Sequence, residues 1–262
     1  MSFSGKTTLW AAGRYESVGE RIAGIADQTV AAANRRHPIA QAEVLDLACG
    51  TGSAALAAAS RGAHVTGLDL TSELIAIGEQ KAKATGHSVA WLTADASDTG
   101  LPDASFDVVV SNMGIIFVDP AGQVIELSRL LKSAGVLAFS SWVRNTPNPF
   151  FDPIVEVLGV SPSTAFTPDQ WGDPDTVTRR LAADFSDVEI ERGTFTWEYE
   201  SLDAALRFLT DESPMHVDVF RRVAGGQRDR LVTAFEDALR PRVDGEPVRF
   251  DTPYVVVSAV RR

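Results

Sequence analysis

Cysteine is all but missing from this chain: Cys49 is the only one among 262 residues. No internal disulfide can staple the fold, which leads us to expect a protein of a reducing compartment, the cytoplasm. Long apolar runs are missing too. None approaches the roughly 20 residues needed to cross a bilayer, and the opening Met1–Lys6 lacks the apolar stretch of a secretory leader. Basic residues are scarce: 24 Lys and Arg face 35 Asp and Glu, a formal net charge of −11. Such a surface repels phosphate backbones, so nucleic acid and anionic membranes are poor expected partners. The histidines His37, His64, His87 and His216 show no zinc-ligand spacing with one another or with Cys49.

What is present is an ordinary globular composition, 45% hydrophobic, enough for a large core. From residue 43 to about 143, short apolar runs alternate with helical patterns. Glu43–Ala48, His64–Leu70, Val89–Ala94, Phe106–Ser111 and Val136–Ser140 read as strands. Ser53–Arg61, Thr71–Thr85 and Val124–Leu131 read as the helices between them. That alternation predicts parallel βαβ units in a doubly wound α/β sheet. After Trp142 the rhythm breaks at Asn145-Thr146-Pro147-Asn148-Pro149. Two late strands, Val188–Tyr199 and Tyr254–Val260, flank helical stretches at Leu202–Thr210 and Arg228–Leu239. Ahead of the sheet, residues 15–36 read as one amphipathic helix, either packed on the sheet or covering the ligand cleft. The expected organisation is a single domain over residues 1–262. It has a helical cover over 1–40, a ligand-binding core over 41–143, and late strands over 144–262 with a helical lid at about 201–241.

Gly50-Thr51-Gly52-Ser53-Ala54-Ala55 fits G-x-G-x-x-G/A between a strand and a helix. Such a loop suits a dinucleotide's pyrophosphate at the helix N-terminus. Asp46, four residues before the first glycine, would repel pyrophosphate and suits a cationic amino group instead.

The run Asp46-Leu47-Ala48-Cys49-Gly50-Thr51-Gly52 resembles the first motif of class I S-adenosylmethionine-dependent methyltransferases. The likeness is to the subgroup that includes the ubiquinone and menaquinone biosynthesis methyltransferases and many small-molecule enzymes. Further motifs follow in order: Val65-Thr66-Gly67-Leu68-Asp69-Leu70, Thr93-Ala94-Asp95-Ala96, and Phe106-Asp107-Val108-Val109 to Ser111-Asn112-Met113. Leu130-Leu131-Lys132-Ser133-Ala134-Gly135 stands where the family usually has a proline-glycine-glycine type turn. The resemblance covers roughly residues 40–143 and implies a Rossmann-like, mostly parallel seven-stranded sheet with a late antiparallel strand. It implies methyl transfer from S-adenosyl-L-methionine, with S-adenosyl-L-homocysteine as product. It places Asp46, Ala48, Gly50, Thr51 and Gly52 at the cofactor loop, and Asp69 at the ribose hydroxyls. Leu70 and Ala96 become adenine walls, Asp95 a partner of the adenine amino group, and Asn112 and Met113 neighbours of the reacting methyl. Asp95 in an Asx-turn with Ser97 or Asp98 is the structural alternative.

On the acceptor side, the strand exits Ser111-Asn112-Met113-Gly114 and Ser140-Ser141-Trp142 carry no acidic cluster for a hard cation, so a metal-independent reaction is expected. The expected partner is a small-molecule methyl acceptor, with Tyr15, Phe117 and Trp142 lining an apolar pocket. His216 is the candidate general base, against the alternative of a loop histidine with no catalytic part. Two other readings stay open: a nicotinamide-dependent oxidoreductase, and a cofactor-binding protein that transfers no methyl.

Overall fold

In a computed structural model, residues 9–144, 147–159, 166–242 and 247–262 are described. The opening Met1–Lys6 and the Asn145-Thr146 part of the breaker-rich turn lie outside them. The chain divides into two compact units. One comprises Met1–Val18, Arg144–Ala165 and Thr194–Pro253; the other comprises Gly19–Val143, Phe166–Gly193 and Tyr254–Arg262.

The second unit is built on the sheet. Its strands are β1 (Glu43–Leu47), β2 (His64–Asp69), β3 (Val89–Thr93), β4 (Phe106–Asn112) and β5 (Leu131–Trp142), followed by the Phe185–Gly193 part of β6 (Phe185–Tyr199) and the Tyr254–Arg261 part of β7 (Val248–Arg261). The order is β3-β2-β1-β4-β5-β7-β6. The first five strands pair in parallel and β7 runs antiparallel to β5, with Val136 opposite Val260. This is the expected doubly wound sheet with a late antiparallel strand. β1 and β4 lie side by side at its centre and are buried almost throughout, as strands covered on both faces must be.

The helices α1 (Glu16–Gly19) and α2 (Ala23–Arg36) occupy the stretch read as one amphipathic helix. Between them lie Glu20–Ile22, and Ile22 gives α2 no side-chain cap. Of the two readings offered for this region, α2 fulfils the structural one: Ala26, Val30 and Ala33 pack into a core with Val44, Val108 and Val136. Ala54, Ala55 and Ala58 of α3 (Ser53–Ala59) complete that cluster. Side chains this small let both helices lie close to the sheet and to each other.

A large side chain fills the other end of this layer. Trp91 of β3 lies over three glycines: Gly52 before α3, Gly67 in β2 and Gly78 in α4 (Ser72–Thr85). A Cβ at Gly67 would stand 2.7 Å from the indole, one at Gly78 2.8 Å, and one at Gly52 closer still. Gly86, at φ +72°, ends α4 in the left-handed conformation expected of a C-cap glycine. Beyond it come α5 (Pro120–Leu130), α6 (Asp152–Leu158) and α7 (Pro174–Leu181).

The first unit holds α6, α8 (Leu202–Arg207), α9 (Pro214–Arg222) and α10 (Gly226–Leu239). Helices were expected at Leu202–Thr210 and Arg228–Leu239; α9 was not, and its Pro214 serves as an N-terminal helical proline rather than a breaker. A π-helical turn, Phe208–Glu212, follows α8. Phe150 is the hub of an aromatic core, with Phe250 at 4.8 Å and Trp197 at 5.3 Å between ring centroids. No helix among the described residues is long and apolar enough to cross a membrane.

Replacing a helix-interior glycine with alanine ordinarily stabilises by about 1 kcal/mol. At Gly78 the indole occupies the space, so Gly78→Ala is expected to destabilise by about 1–3 kcal/mol in urea unfolding. In a Trp91→Leu background the same change should be neutral or stabilising.

Candidate functional site

The site grows from the carboxyl ends of β1, β2 and β4. After Leu47 the chain turns sharply: Ala48, Gly50 and Gly52 have φ of +54°, +56° and +81°. Glycine adopts that region freely, whereas Ala48 does so at a cost of roughly 1–2 kcal/mol. A second strained residue, Met113 at φ +58°, leaves the end of neighbouring β4. The two loops touch. A Cβ on Gly114 would collide with the Ala48 carbonyl oxygen, so only glycine can follow Met113. Non-glycine residues in this conformation concentrate at functional sites, and here two lie at adjacent strand ends.

Two buried carboxyls hold the glycine loop. Asp69, 8% exposed, accepts the Gly50 N–H at 2.8 Å through Oδ2 and the Thr71 N–H at 2.9 Å through Oδ1. The Thr71 side chain and the Leu70 backbone hydrogen-bond to the same carboxyl. Asp46, 1% exposed, accepts the Ala55 N–H of α3 at 2.7 Å through Oδ2. Its Oδ1 is buried without a partner, as is the Thr51 hydroxyl oxygen. Asp46 thus fastens the helix through Oδ2, and its Oδ1 is the oxygen without a partner. Burial, opposed by the Ala55 bond and reinforced by the charge of Asp69, pushes the Asp46 carboxyl up to about 8. Burial raises Asp69 as well.

The turn after β3 has its own support. Asp95 is exposed, and its Oδ1 accepts from the backbone and hydroxyl of Ser97 at 2.8 and 2.7 Å. This is the Asx-turn named as the structural alternative, and it leaves Oδ2 for a ligand. Ala96 is buried and Leu70, beside Asp69, is 52% exposed, the position of an apolar wall without a cover. From α5, Gln123 donates to the Ala96 carbonyl at 3.2 Å. Glu126 accepts from the Thr99 N–H at 2.9 Å, the Thr99 hydroxyl at 2.6 Å and Arg129 at 2.7 Å. Arg129 reaches on to the Leu101 carbonyl at 2.6 Å. These bonds, led by Arg129, hold the Glu126 carboxyl down at about 2.

Asn112 and Met113 are joined to Ser140 of β5. Phe117, in a short 3₁₀ turn, and Trp142, edge-on to Tyr254 at 6.4 Å, are half-buried in the same unit. Tyr15 and His216 belong to the first unit. His216 is 3% exposed. Its Nε2 lies 2.9 Å from the Phe150 carbonyl, which can only accept, so Nε2 carries the proton and the Ser213 hydroxyl donates to Nδ1 at 2.7 Å. Burial lowers its pKa to about 4. Both ring nitrogens are spent and no lone pair is left for a substrate proton, which corrects the expectation of a general base: His216 holds Phe150 and Ser213 together.

Sequence reasoning missed Ser140, Gly114, Trp91 and the Glu126–Arg129 pair. Only Ser140 and Gly114 left a readable sign, a hydroxyl at the end of an apolar strand and a glycine directly after Met113.

With this geometry in place, relatives can be compared. A model of the methyltransferase domain matches residues 45–139. A protein of Mycobacterium tuberculosis (strain ATCC 25618 / H37Rv), named only as uncharacterized, is 30% identical over 194 residues, covering 72% of this chain and 69% of its own length. Aklanonic acid methyltransferase DauC of Streptomyces sp. (strain C5) is 31% identical over 150 residues, 55% of this chain and 68% of that protein. The structure of Haemonchus contortus phosphoethanolamine N-methyltransferase 2 with phosphomonomethylethanolamine and S-adenosylhomocysteine superposes with a TM-score of 0.56. It shares 21% identity over 89% of this chain and 52% of that one, a likeness of fold. The chain belongs to the class I S-adenosylmethionine-dependent methyltransferases, and its cofactor is S-adenosylmethionine.

A carboxyl raised by folding destabilises the native state increasingly as pH climbs from its unfolded value, near 4, to its folded one. Removing the Asp46 charge should therefore stabilise the ligand-free protein. The melting temperature of Asp46→Asn is expected to match wild type near pH 4 and to exceed it by a margin that widens up to about pH 8, as scanning calorimetry would show.

Proposed function

We propose that this enzyme methylates a small apolar molecule without a metal. The observation that carries the cofactor half of the reading is the pair of buried, unpartnered oxygens, Asp46 Oδ1 and Thr51 Oγ1, under the glycine loop. A buried acceptor without a donor costs about 1–3 kcal/mol, and an ammonium group removes that deficit. Asp46 is therefore assigned to the amino group of the cofactor and Asp69 to its ribose. Leu70 and Ala96 wall the adenine, and Asp95 Oδ2 takes the adenine amino group. Ala48, Gly50, Thr51 and Gly52 form the loop against which it lies. These residues fit a zwitterionic nucleoside better than a pyrophosphate, which would face two carboxyls and no cation.

When bound, the cofactor supplies a sulfonium-activated methyl group for an acceptor nucleophile held in line with the carbon–sulfur bond. The chain's part is to position and to exclude water. Phe117, shortly past the end of β4, and Trp142, the last residue of β5, are proposed as apolar walls on the acceptor side. A relative that acts on aklanonic acid supports an organic acceptor of that kind.

Isothermal calorimetry with S-adenosylhomocysteine tests the assignment. Wild type should bind it; Asp69→Ala should lose about 100-fold or more in affinity, two charge-assisted bonds at about 1.5–3 kcal/mol each. Because an ammonium lowers the Asp46 carboxyl, binding at pH 7 should release a proton, read from buffers of differing ionisation heat, and Asp46→Asn should release none from this group. Tight binding of a nicotinamide dinucleotide in place of S-adenosylhomocysteine would overturn the proposal.

His216→Ala, which strands the Ser213 hydroxyl and the Phe150 carbonyl, is expected to destabilise by about 2–4 kcal/mol in thermal unfolding. Turnover per folded molecule should hold within about threefold, since a lost base would cost about 100-fold or more.

A further inference from the structure

Ser140 is wholly buried at the carboxyl end of β5, directly opposite Asn112 in the parallel register with β4. A hydroxyl has one proton to give and two lone pairs to receive with. The Ser140 Oγ receives the Met113 N–H at 3.0 Å and gives its proton to Asn112 Oδ1 at 2.8 Å. The first bond holds Met113 in its left-handed conformation, which in turn seats Gly114 against the Ala48 carbonyl. The second decides which way the Asn112 amide faces. With Oδ1 turned to Ser140, the Nδ2 group, two N–H donors, faces the opposite way on a half-buried residue.

A donor at this place has a chemical complement. Val110, two residues before Asn112, pairs with Asp46 across β1 and β4, and Gly114 abuts Ala48, so Asn112 stands beside the glycine loop. The group there that awaits a cation is Asp46 Oδ1. An α-amino acid carries ammonium and carboxylate on one carbon, and a site for both needs an acceptor and a donor on neighbouring strands.

We propose that Ser140 is a positioning residue that turns the Asn112 amide so that its N–H groups take the carboxylate of the cofactor's amino-acid half. The proposal rests on the cofactor assignment above. It makes Ser140 and Asn112 a pair: the hydroxyl acts only through the amide, and the amide recognises an acceptor only because the hydroxyl holds its oxygen.

Two nucleoside probes separate this role from general support of the fold. S-Adenosylhomocysteine carries the amino-acid half; 5′-methylthioadenosine lacks it and keeps the adenosine. In calorimetry on the full chain, Ser140→Ala should weaken S-adenosylhomocysteine about tenfold, the worth of one charge-assisted bond. Its affinity for 5′-methylthioadenosine should stay within about twofold, and Ser140→Thr should restore both. Asn112→Asp keeps an oxygen for Ser140 while replacing donors with a charge that repels carboxylate. It should weaken S-adenosylhomocysteine by at least as much and again spare 5′-methylthioadenosine, and it provides the test should Ser140→Ala fail to fold. The double variant Ser140→Ala/Asn112→Ala should bind no more weakly than Asn112→Ala alone. Equal weakening of both probes would overturn the proposal in favour of a structural serine. So would unchanged S-adenosylhomocysteine binding with a raised KM for the methyl acceptor, which would assign the amide to the acceptor. Failure of wild type to bind S-adenosylhomocysteine would remove the cofactor assignment itself; wild-type binding without discrimination among the variants removes only this inference.

Discussion

Two carboxyl groups brought together out of water are the constraint on which this site is built. Asp46 and Asp69 lie at the carboxyl ends of neighbouring parallel strands, both nearly inaccessible; Asp69 accepts the Gly50 N–H of the turn, and Asp46 the Ala55 N–H of the helix that follows it. Those bonds tie the loop between Leu47 and Ser53 from both sides. They do not compensate Asp46 for its burial, since one of its oxygens has nothing to accept. Desolvation and the neighbouring Asp69 make ionising Asp46 costly in the folded state. Under the proposed cofactor assignment, stability is withheld at the place where binding would recover it.

The second strained turn extends this logic to the other side of the sheet's centre. Ala48 and Met113 both hold backbone conformations that cost energy, and Gly114 against Ala48 makes the two turns a single contact. Neither would persist without its tie: Gly50 to Asp69 on one side, Met113 to Ser140 on the other. The turn after β3 is fastened separately, by Gln123, Glu126 and Arg129 along one face of α5. Three loops are thus each anchored to a rigid element beneath them, so that under the proposed assignment a ligand would meet loops already set in shape.

Most of this fold was legible because its signals are local. Strand runs, the alanine-rich helix after Gly52, and the C-cap Gly86 each declare themselves within a dozen residues. The class of ligand was legible for a similar reason, since Asp46, the glycines and Asp69 lie in one βαβ unit. What escaped depends on contacts between distant segments. Nothing near Glu126 announces that it will hold Thr99, and nothing near Trp91 announces three glycines waiting for it. His216 misled because an isolated histidine in a polar stretch looks available, whereas its fate was decided by the carbonyl of Phe150, 66 residues earlier. Residues 15–36 looked like one helix because apolar spacing survives an interruption of three residues at Glu20–Ile22. The helix α9 went unread although it opens on Pro214, because sequence alone does not distinguish a proline that breaks a helix from one in its first turn.

The indole of Trp91 has a consequence for how this sequence can change. Positions 52, 67 and 78 lie in a loop, a strand and a helix, and would ordinarily drift independently. Here each is hollowed out to admit the same ring. A methyl group gained at any one of them has no room until the tryptophan shrinks, and a smaller residue at 91 leaves three gaps at once. Positions 67, 78 and 91 are therefore expected to change in concert among relatives. A lineage that has lost the tryptophan should show bulkier residues at 67 and 78, while 52 stays glycine for the separate reason that its backbone is left-handed.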